Sequence, residues 1–368
     1  MKRILAIKLA DLGDLLTITP ALRALRNGCP DAFLSALVTP SSASLLQESD
    51  IVDEVIPFDK FAFDRKRDAY RGLPRALDLA RQLRDRKVDT LVLFHHLATG
   101  WGRAKYAALA LASGAPERVG LDNGTGWFLT RRATDRGFGV RHEVDYWLDV
   151  AALVGGRNTH PYPELVLRAE HTDWARQRWA GLGMSRPAAV IHPGSGTFST
   201  ARRWPVERFA EVARRLRAEL GLDIVALAGP APAERDLAEA LQAAVDSAQV
   251  VADVPSPRHL AAFLQHAAVV IGNDSGVLHL ASVVKRPIVA VFGPTNDRAW
   301  GPYPPDIPRH QVVRETLACR PCVHRAFSFG TPEGCPARTC LQLIRPDAVI
   351  QAVYRALETN VPQITISL

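Results

Sequence analysis

No apolar run in this 368-residue chain approaches the ~20 residues that a membrane-crossing helix needs, so a membrane-spanning class is excluded. The first residues, MKRILAIKLADLGD, hold only a short apolar run interrupted by Lys8 and Asp11, which is not the plan of a secretory signal. The expectation is a cytoplasmic protein. Cysteine is scarce, with five in all: Cys29 stands alone, and Cys319, Cys322, Cys335 and Cys340 lie close together. In that compartment a disulfide framework is not expected. The three spaced glycines of a dinucleotide fingerprint are missing, and so is Walker spacing. Helix-turn-helix, zinc-finger and RNA-binding signatures are absent too, as is any solenoid-type repeat. Nucleic acid is therefore not the expected partner, although a net charge of +7 calls for an anionic one.

What is present suits a soluble α/β protein of two domains, given the length and a composition of 47% hydrophobic and 23% charged residues. The most informative stretch is AVVIGNDSGVLHLASVVKRPIVAVFGP, residues 268–294. Residues 269–271 predict a buried strand, 272–276 a turn, 277–284 a helix and 287–292 a second strand. That is a βαβ unit of a parallel sheet. Such sheets bind ligands beyond the carboxyl ends of their strands, where Asp274, Ser275 and Gly276 fall. The helix that follows presents free amides and a positive dipole end there, which suits a phosphate. Asp274 would then serve another purpose, such as holding sugar hydroxyls; a plain N-cap is the alternative.

At the other end, residues 2–8 predict a strand, 9–14 a loop and 15–26 a helix, in which Pro20 requires a kink or a place near the start. Gly13 and Asp14 thus fall at the carboxyl end of the first strand; an N-cap is again the alternative reading of Asp14. Further strands are predicted at 32–38, 53–58 and 88–94, the last running into His95 and His96. Neighbouring strand residues point to opposite faces, so this pair is a candidate for one substrate contact, not for a metal site. Residues 61–75 interleave Phe61, Phe63 and Tyr70 with five basic residues. A solvated face or a surface for anionic lipid would both account for them. Helices are predicted at 73–86 and 141–155, a linker at 156–163 and a strand at 164–168.

The second half repeats this grammar. A strand at 188–192 leads into a Gly/Ser/Thr-rich basic loop, PGSGTFSTARR, at 193–203, whose amides, hydroxyls and arginines suit phosphates. After a helix to 220 come a strand at 223–228, a helix with Glu234 in its first turn, a strand at 250–252 and a helix at 258–266. A last helix spans 347–357.

Four segments, KLADLGDLLTITPALRAL, HPGSGTFSTARRWPVERFAEVARRL, ALAGPAPAERDLAEAL and GNDSGVLHLASVVKRPIVAVFGPTNDRAWGPY, span nearly the whole chain in one order. Together they resemble glycosyltransferase family 9, the ADP-heptose:lipopolysaccharide heptosyltransferases. The resemblance implies GT-B architecture, with two Rossmann-like parallel-sheet domains facing a central cleft. The expected division is 1–165 for the acceptor, 166–345 for the nucleotide-sugar, and 346–368 packing back on the N-terminal domain. It implies inverting, metal-independent transfer from an ADP-sugar donor to an anionic glycolipid such as lipopolysaccharide core, at the cytoplasmic surface of an inner membrane.

The site residues carried over are Asp14 as general base, with Lys8, Gly13 and His96 on the acceptor side. Ser195, Thr197 and Arg202 would meet the phosphates and Glu234 the ribose. Asp274 would hold sugar hydroxyls, with Ser275, Gly276 and His279 beside the phosphates. Members often carry Lys where this chain has Arg202-Arg203, which keeps the charge and changes the geometry. Cys319, Cys322, Cys335 and Cys340 are either a structural zinc or iron site or a reduced loop. A non-hydrolysing nucleotide-sugar epimerase on the same architecture, or a non-catalytic nucleotide-sugar or lipid binder, would be the competing functions.

Overall fold

The computed structural model describes residues 1–47, 49–60 and 72–358. The basic-aromatic stretch therefore lies, up to residue 71, outside the described residues, as does the tail from 359. Two compact units emerge: Met1–Val166 with Ala326–Ser328, and Leu167–Arg325 with Phe329–Leu368.

The first unit carries β1 (Arg3–Lys8), β2 (Phe33–Val38), β3 (Glu54–Pro57), β4 (Thr90–Leu93), β5 (Glu117–Asp122) and β6 (Arg131–Thr134). They form one parallel sheet in the order β3-β2-β1-β4-β5-β6. The central strands read as continuous apolar runs because helices cover both faces; Leu5, Leu91 and Val92 are fully buried. The chain first builds outward from β1 to β3 and then returns to place β4 on the other side. The switch point lies between β1 and β4, with Lys8 at one strand end and His95-His96 just past the other.

The helix after β1 begins earlier than expected, at Leu12, and runs to Gly28. Gly13 and Asp14 are thus in its first turn and not in the preceding loop. Pro20 sits inside this helix and leaves the Leu16 carbonyl without its usual N–H; the Thr19 hydroxyl donates to that carbonyl at 2.8 Å instead. The short strands β5 and β6 carry weak sequence signals, β6 (RRAT) being largely exposed. Residues 164–168 do not return as a strand; the Glu164 amide instead donates to the Thr19 hydroxyl.

The second unit repeats the plan with β7 (Ala188–His192), β8 (Asp223–Leu227), β9 (Gln249–Val251), β10 (Val269–Asn273), β11 (Ile288–Val291) and β12 (His310–Val313). The order is β12-β11-β10-β7-β8-β9, again parallel, with its switch point between β7 and β10. The final helix, Pro346–Glu358, packs within the second unit. Its apolar stripe of Val349, Ile350, Ala352, Val353 and Ala356 joins the core of the second unit with Val289 and Val291 of β11.

Candidate active site

Each switch point gathers polar side chains at the carboxyl ends of its central strands. In the first unit Lys8, 3% exposed, points its Nζ to 3.5 Å from Asp14 Oδ1 and 4.4 Å from the Trp147 ring centroid. Asp14, at 31% exposure, is the solvent-facing member of the pair, so its carboxylate is both held by a cation and open to a ligand. Gly13 is buried beside it.

The adjacent histidines differ in state. His95 Nε2 accepts the Leu9 N–H at 2.8 Å, and its ring stacks on Tyr106 with centroids 4.4 Å apart. Burial first, and then the charge of Lys8, hold it well below its ordinary pKa, so it is neutral. His96 is enclosed by Phe138, Tyr146 and Trp147. Its Nδ1 lies 2.8 Å from Asp135 and its Nε2 2.9 Å from Glu143, both carboxylates being almost fully buried. Burial pushes the imidazole down, but Glu143 and Asp135 outweigh it and lift it to about 9. With both nitrogens bonded, His96 offers none to a substrate in this conformation. Asp135 and Glu143 escaped sequence reasoning because they are far from His96 in the chain and belong to no motif.

In the second unit Asn273, fully buried at the end of β10, joins both ends of the 193–203 loop to the sheet. Its amide donates to the carbonyls of Pro193 at 2.8 Å and Gly194 at 3.2 Å, while its oxygen accepts the Trp204 N–H at 2.9 Å. Nothing in the sequence marked this residue beyond its neighbour Asp274. Arg202 brings Nη1 to 3.4 Å from Asp274 Oδ2, donates through Nη2 to the Ser195 carbonyl, and lies 5.5 Å from the Phe198 ring centroid. The pair ties the loop to the turn after β10.

Glu234 is 2% exposed and accepts the amides of Ser195 at 2.8 Å and Gly196 at 2.7 Å. Gly194 and Gly229 make room for it; a Cβ at either would lie 2.4 or 1.9 Å from a carboxylate oxygen. Glu234 thus shapes the loop in this conformation, and Ser195, whose hydroxyl donates to the Ser199 carbonyl at 2.9 Å, is buried with it. Thr197, by contrast, is exposed at the loop tip. Ser275 occupies the N-cap of helix Gly276–Val283 without a capping bond, and its buried hydroxyl has no hydrogen-bond partner among the described residues. An unpaired buried hydroxyl facing a helix start is what a bound anion would satisfy. Gly276 opens that helix and His279, one turn on, is buried.

A family model described as glycosyltransferase family 9 (heptosyltransferase) matches residues 76–331. The chain belongs to glycosyltransferase family 9. Among curated relatives it is similar to lipopolysaccharide heptosyltransferase 1 of Pseudomonas aeruginosa, 27% identical over 339 residues, covering 90% of this chain and 89% of that one. It also resembles lipooligosaccharide heptosyltransferase 2 of Campylobacter jejuni, 28% identical over 176 residues; that match spans only about half of each chain, 46% and 51%. Among solved structures, the Escherichia coli ADP-heptose lipopolysaccharide heptosyltransferase II superposes with a TM-score of 0.70 at 20% identity, covering 98% and 99% of the two chains. The fold is accordingly of the GT-B type and the protein is a glycosyltransferase.

The four clustered cysteines of this family 9 member lie outside both switch points. Cys319, Cys322 and Cys335 are exposed and Cys340 is buried. Burial raises the thiols of Cys322 and Cys340, and the neighbouring thiols raise them further, so the four form one electrostatic group. Among the described residues, no three Cys, His, Asp or Glu converge tightly enough to hold a metal.

Proposed function

We propose that this glycosyltransferase moves a heptose from an ADP-sugar to a hydroxyl of an anionic glycolipid, such as lipopolysaccharide core, with inversion at the anomeric carbon. The observation that carries the donor half is the unpaired, buried Ser275 hydroxyl at the start of helix Gly276–Val283, with Arg202 joined to Asp274 beside it. In this reading the amides of that helix and Arg202 meet the diphosphate and the charge that grows on it as the glycosidic bond breaks. Asp274 then holds sugar hydroxyls. Glu234 reaches the ribose by exchanging the Ser195 and Gly196 amides for sugar hydroxyls, which frees those amides, with Thr197, for the phosphates.

Asp14 is the base. It takes the proton of the acceptor hydroxyl, which becomes acidic as the new bond to carbon forms, and Lys8 Nζ, 3.5 Å away, holds its carboxylate in place. Asp14 lies in the first turn of helix Leu12–Gly28, whose N-cap is Asp11, so it is not the cap; Asp14→Asn keeps the side chain's shape while removing the base, and separates catalysis from folding. Turnover should fall ~100-fold or more with nucleotide-sugar affinity and Tm retained. Near-full turnover, measured as nucleoside diphosphate release from a panel of nucleotide-sugars with and without glycolipid, would remove Asp14 from the mechanism. The same panel tests the sugar and the base.

We assign the enzyme to the cytoplasmic surface of an inner membrane. Supporting this, Leu73 and Leu77 are exposed one turn apart on helix Leu73–Asp85, on the face that also carries Arg81 and Arg84. Among the described residues no helix is long and apolar enough to cross a membrane. Cys319, Cys322, Cys335 and Cys340 would hold a structural zinc or iron by drawing closer together than they stand here and giving up their thiol protons to the metal.

A further inference from the structure

The amino edge of the second sheet, opposite the edge that holds Ser275 and Arg202, carries two arginines flanked by histidines. In β10, β11 and β12, which are adjacent and parallel, the register aligns Val270 with Ile288 and Ile288 with His310. The residues immediately before these strands therefore stand side by side at one edge. They include Arg286 ahead of β11 and Arg309 ahead of β12, with His310 as the first residue of β12 and His266 in the turn that leads into β10. The strands themselves fix this arrangement, since the Ile288 amide donates to the Arg309 carbonyl at 2.8 Å and the Val270 amide to the Pro287 carbonyl at 2.9 Å.

These groups lack counter-charges. The Nε atoms of Arg286 and Arg309 are buried without a hydrogen-bond partner, and neither guanidinium pairs with a carboxylate among the described residues. By contrast, Arg23 pairs with Asp50 and Glu164, Arg86 with Glu54, and Arg320 with Asp297. Burial, and then repulsion from Arg309, lower the pKa of Arg286; burial, then Arg176 and Arg286, lower that of His266. His310 donates its Nδ1–H to the Pro304 carbonyl at 2.9 Å, and its Nε2 is buried without a partner. Two part-buried guanidiniums that repel each other and have unsatisfied N–H groups are costly, and a dianion with several acceptor oxygens relieves both penalties.

We propose that Arg286 and Arg309, flanked by His266 and His310, form a second anion site for a phosphate group, separate from the donor site. The ligand class is a phosphate, either free or as a phosphomonoester headgroup of a lipid. No residue of the site takes part in the transfer chemistry proposed above, so the two readings stand or fall separately.

The test is the dependence of Tm on inorganic phosphate at constant ionic strength, with saturating ADP present so that the donor site is occupied. Wild type should show a saturable rise. In Arg286→Gln/Arg309→Gln the apparent phosphate affinity should fall about tenfold or more, while Tm without phosphate holds or rises because the repulsion is gone. ADP affinity, measured by calorimetry, should match wild type, and its loss would point to the donor site and not to this one. Either single variant serves if the double variant does not purify. Vesicles containing phosphatidic acid assign the source: weaker sedimentation of the double variant than of wild type identifies a lipid headgroup, and equal sedimentation identifies free phosphate. A phosphate response that is absent from wild type, or undiminished in the variants, would overturn the site.

Discussion

Replacing Ser275 with Ala tests the donor site in a way that separates binding from folding. In the free protein the Ser275 hydroxyl is buried without a partner among the described residues, a condition that costs ~1–3 kcal/mol. Ser275→Ala removes that penalty, so the unliganded variant should melt at or above wild type, by ~2–4 °C for each kcal/mol recovered in a unit of this size. In the nucleotide complex the same hydroxyl would donate to a charged phosphate oxygen, a bond worth ~1.5–3 kcal/mol. Its loss should weaken ADP about 10- to 150-fold. Ser282→Ala is the matched control on the same helix, because that hydroxyl already donates to the Tyr303 carbonyl at 2.5 Å. This control should melt lower and bind ADP as wild type does. Calorimetric titration with ADP and melting without it give both readouts on each variant. If Ser275→Ala melts lower and keeps its ADP affinity, the hydroxyl is a structural cap and the phosphate assignment fails.

Three further outcomes are expected. Because His96 is raised in the fold from 6.5 to about 9, its stabilisation is complete below pH 6.5 and is lost as pH rises through 9. Wild-type Tm should therefore fall between pH 7 and pH 9.5 more steeply than that of His96→Gln, and parallel curves would place the charge elsewhere. Elemental analysis of protein purified without a metal-affinity tag should find about one zinc or iron per chain, and chelator should lower Tm; metal-free protein with chelator-insensitive melting would leave a reduced loop. Wild type should sediment with anionic vesicles and not with neutral ones, less so as salt rises, and Leu73→Ser/Leu77→Ser should weaken this. Equal sedimentation with both lipid types would leave helix Leu73–Asp85 as a solvated surface.

Local signals account for much of what could be read from the chain. Apolar runs of strand length, broken by Gly- and Ser-containing loops, marked β1, β7, β10 and β11, because a parallel strand covered on both faces has to be continuously apolar. The same runs placed Asp14, Arg202, Asp274 and Ser275 just past strand ends, since a loop that follows such a strand emerges at the carboxyl edge. Four ordered segments were enough to indicate the family. Strand β6 and the helical start at Leu12 were not legible. An exposed edge strand has no hydrophobic pattern, and helix boundaries are set by caps that differ little from loops.

Tertiary structure decided the rest, wherever a property depends on groups distant in sequence. His96 was read as a substrate contact at a strand end; its charge comes from Asp135 and Glu143, 39 and 47 residues away, and its enclosure from Phe138, Tyr146 and Trp147. Glu234 became a partner of the Ser195 and Gly196 amides only when β7 and β8 lay side by side. The last helix followed its apolar stripe onto β11 because burial area, not order along the chain, chooses the surface. The arginine pair at the amino edge was likewise invisible, since it takes parallel register to bring Arg286 and Arg309 together from separate segments. Sequence fixed which residues could ionise, cap or pack; register and burial determined which of them met, and therefore which charges are neutralised and which are left for a ligand.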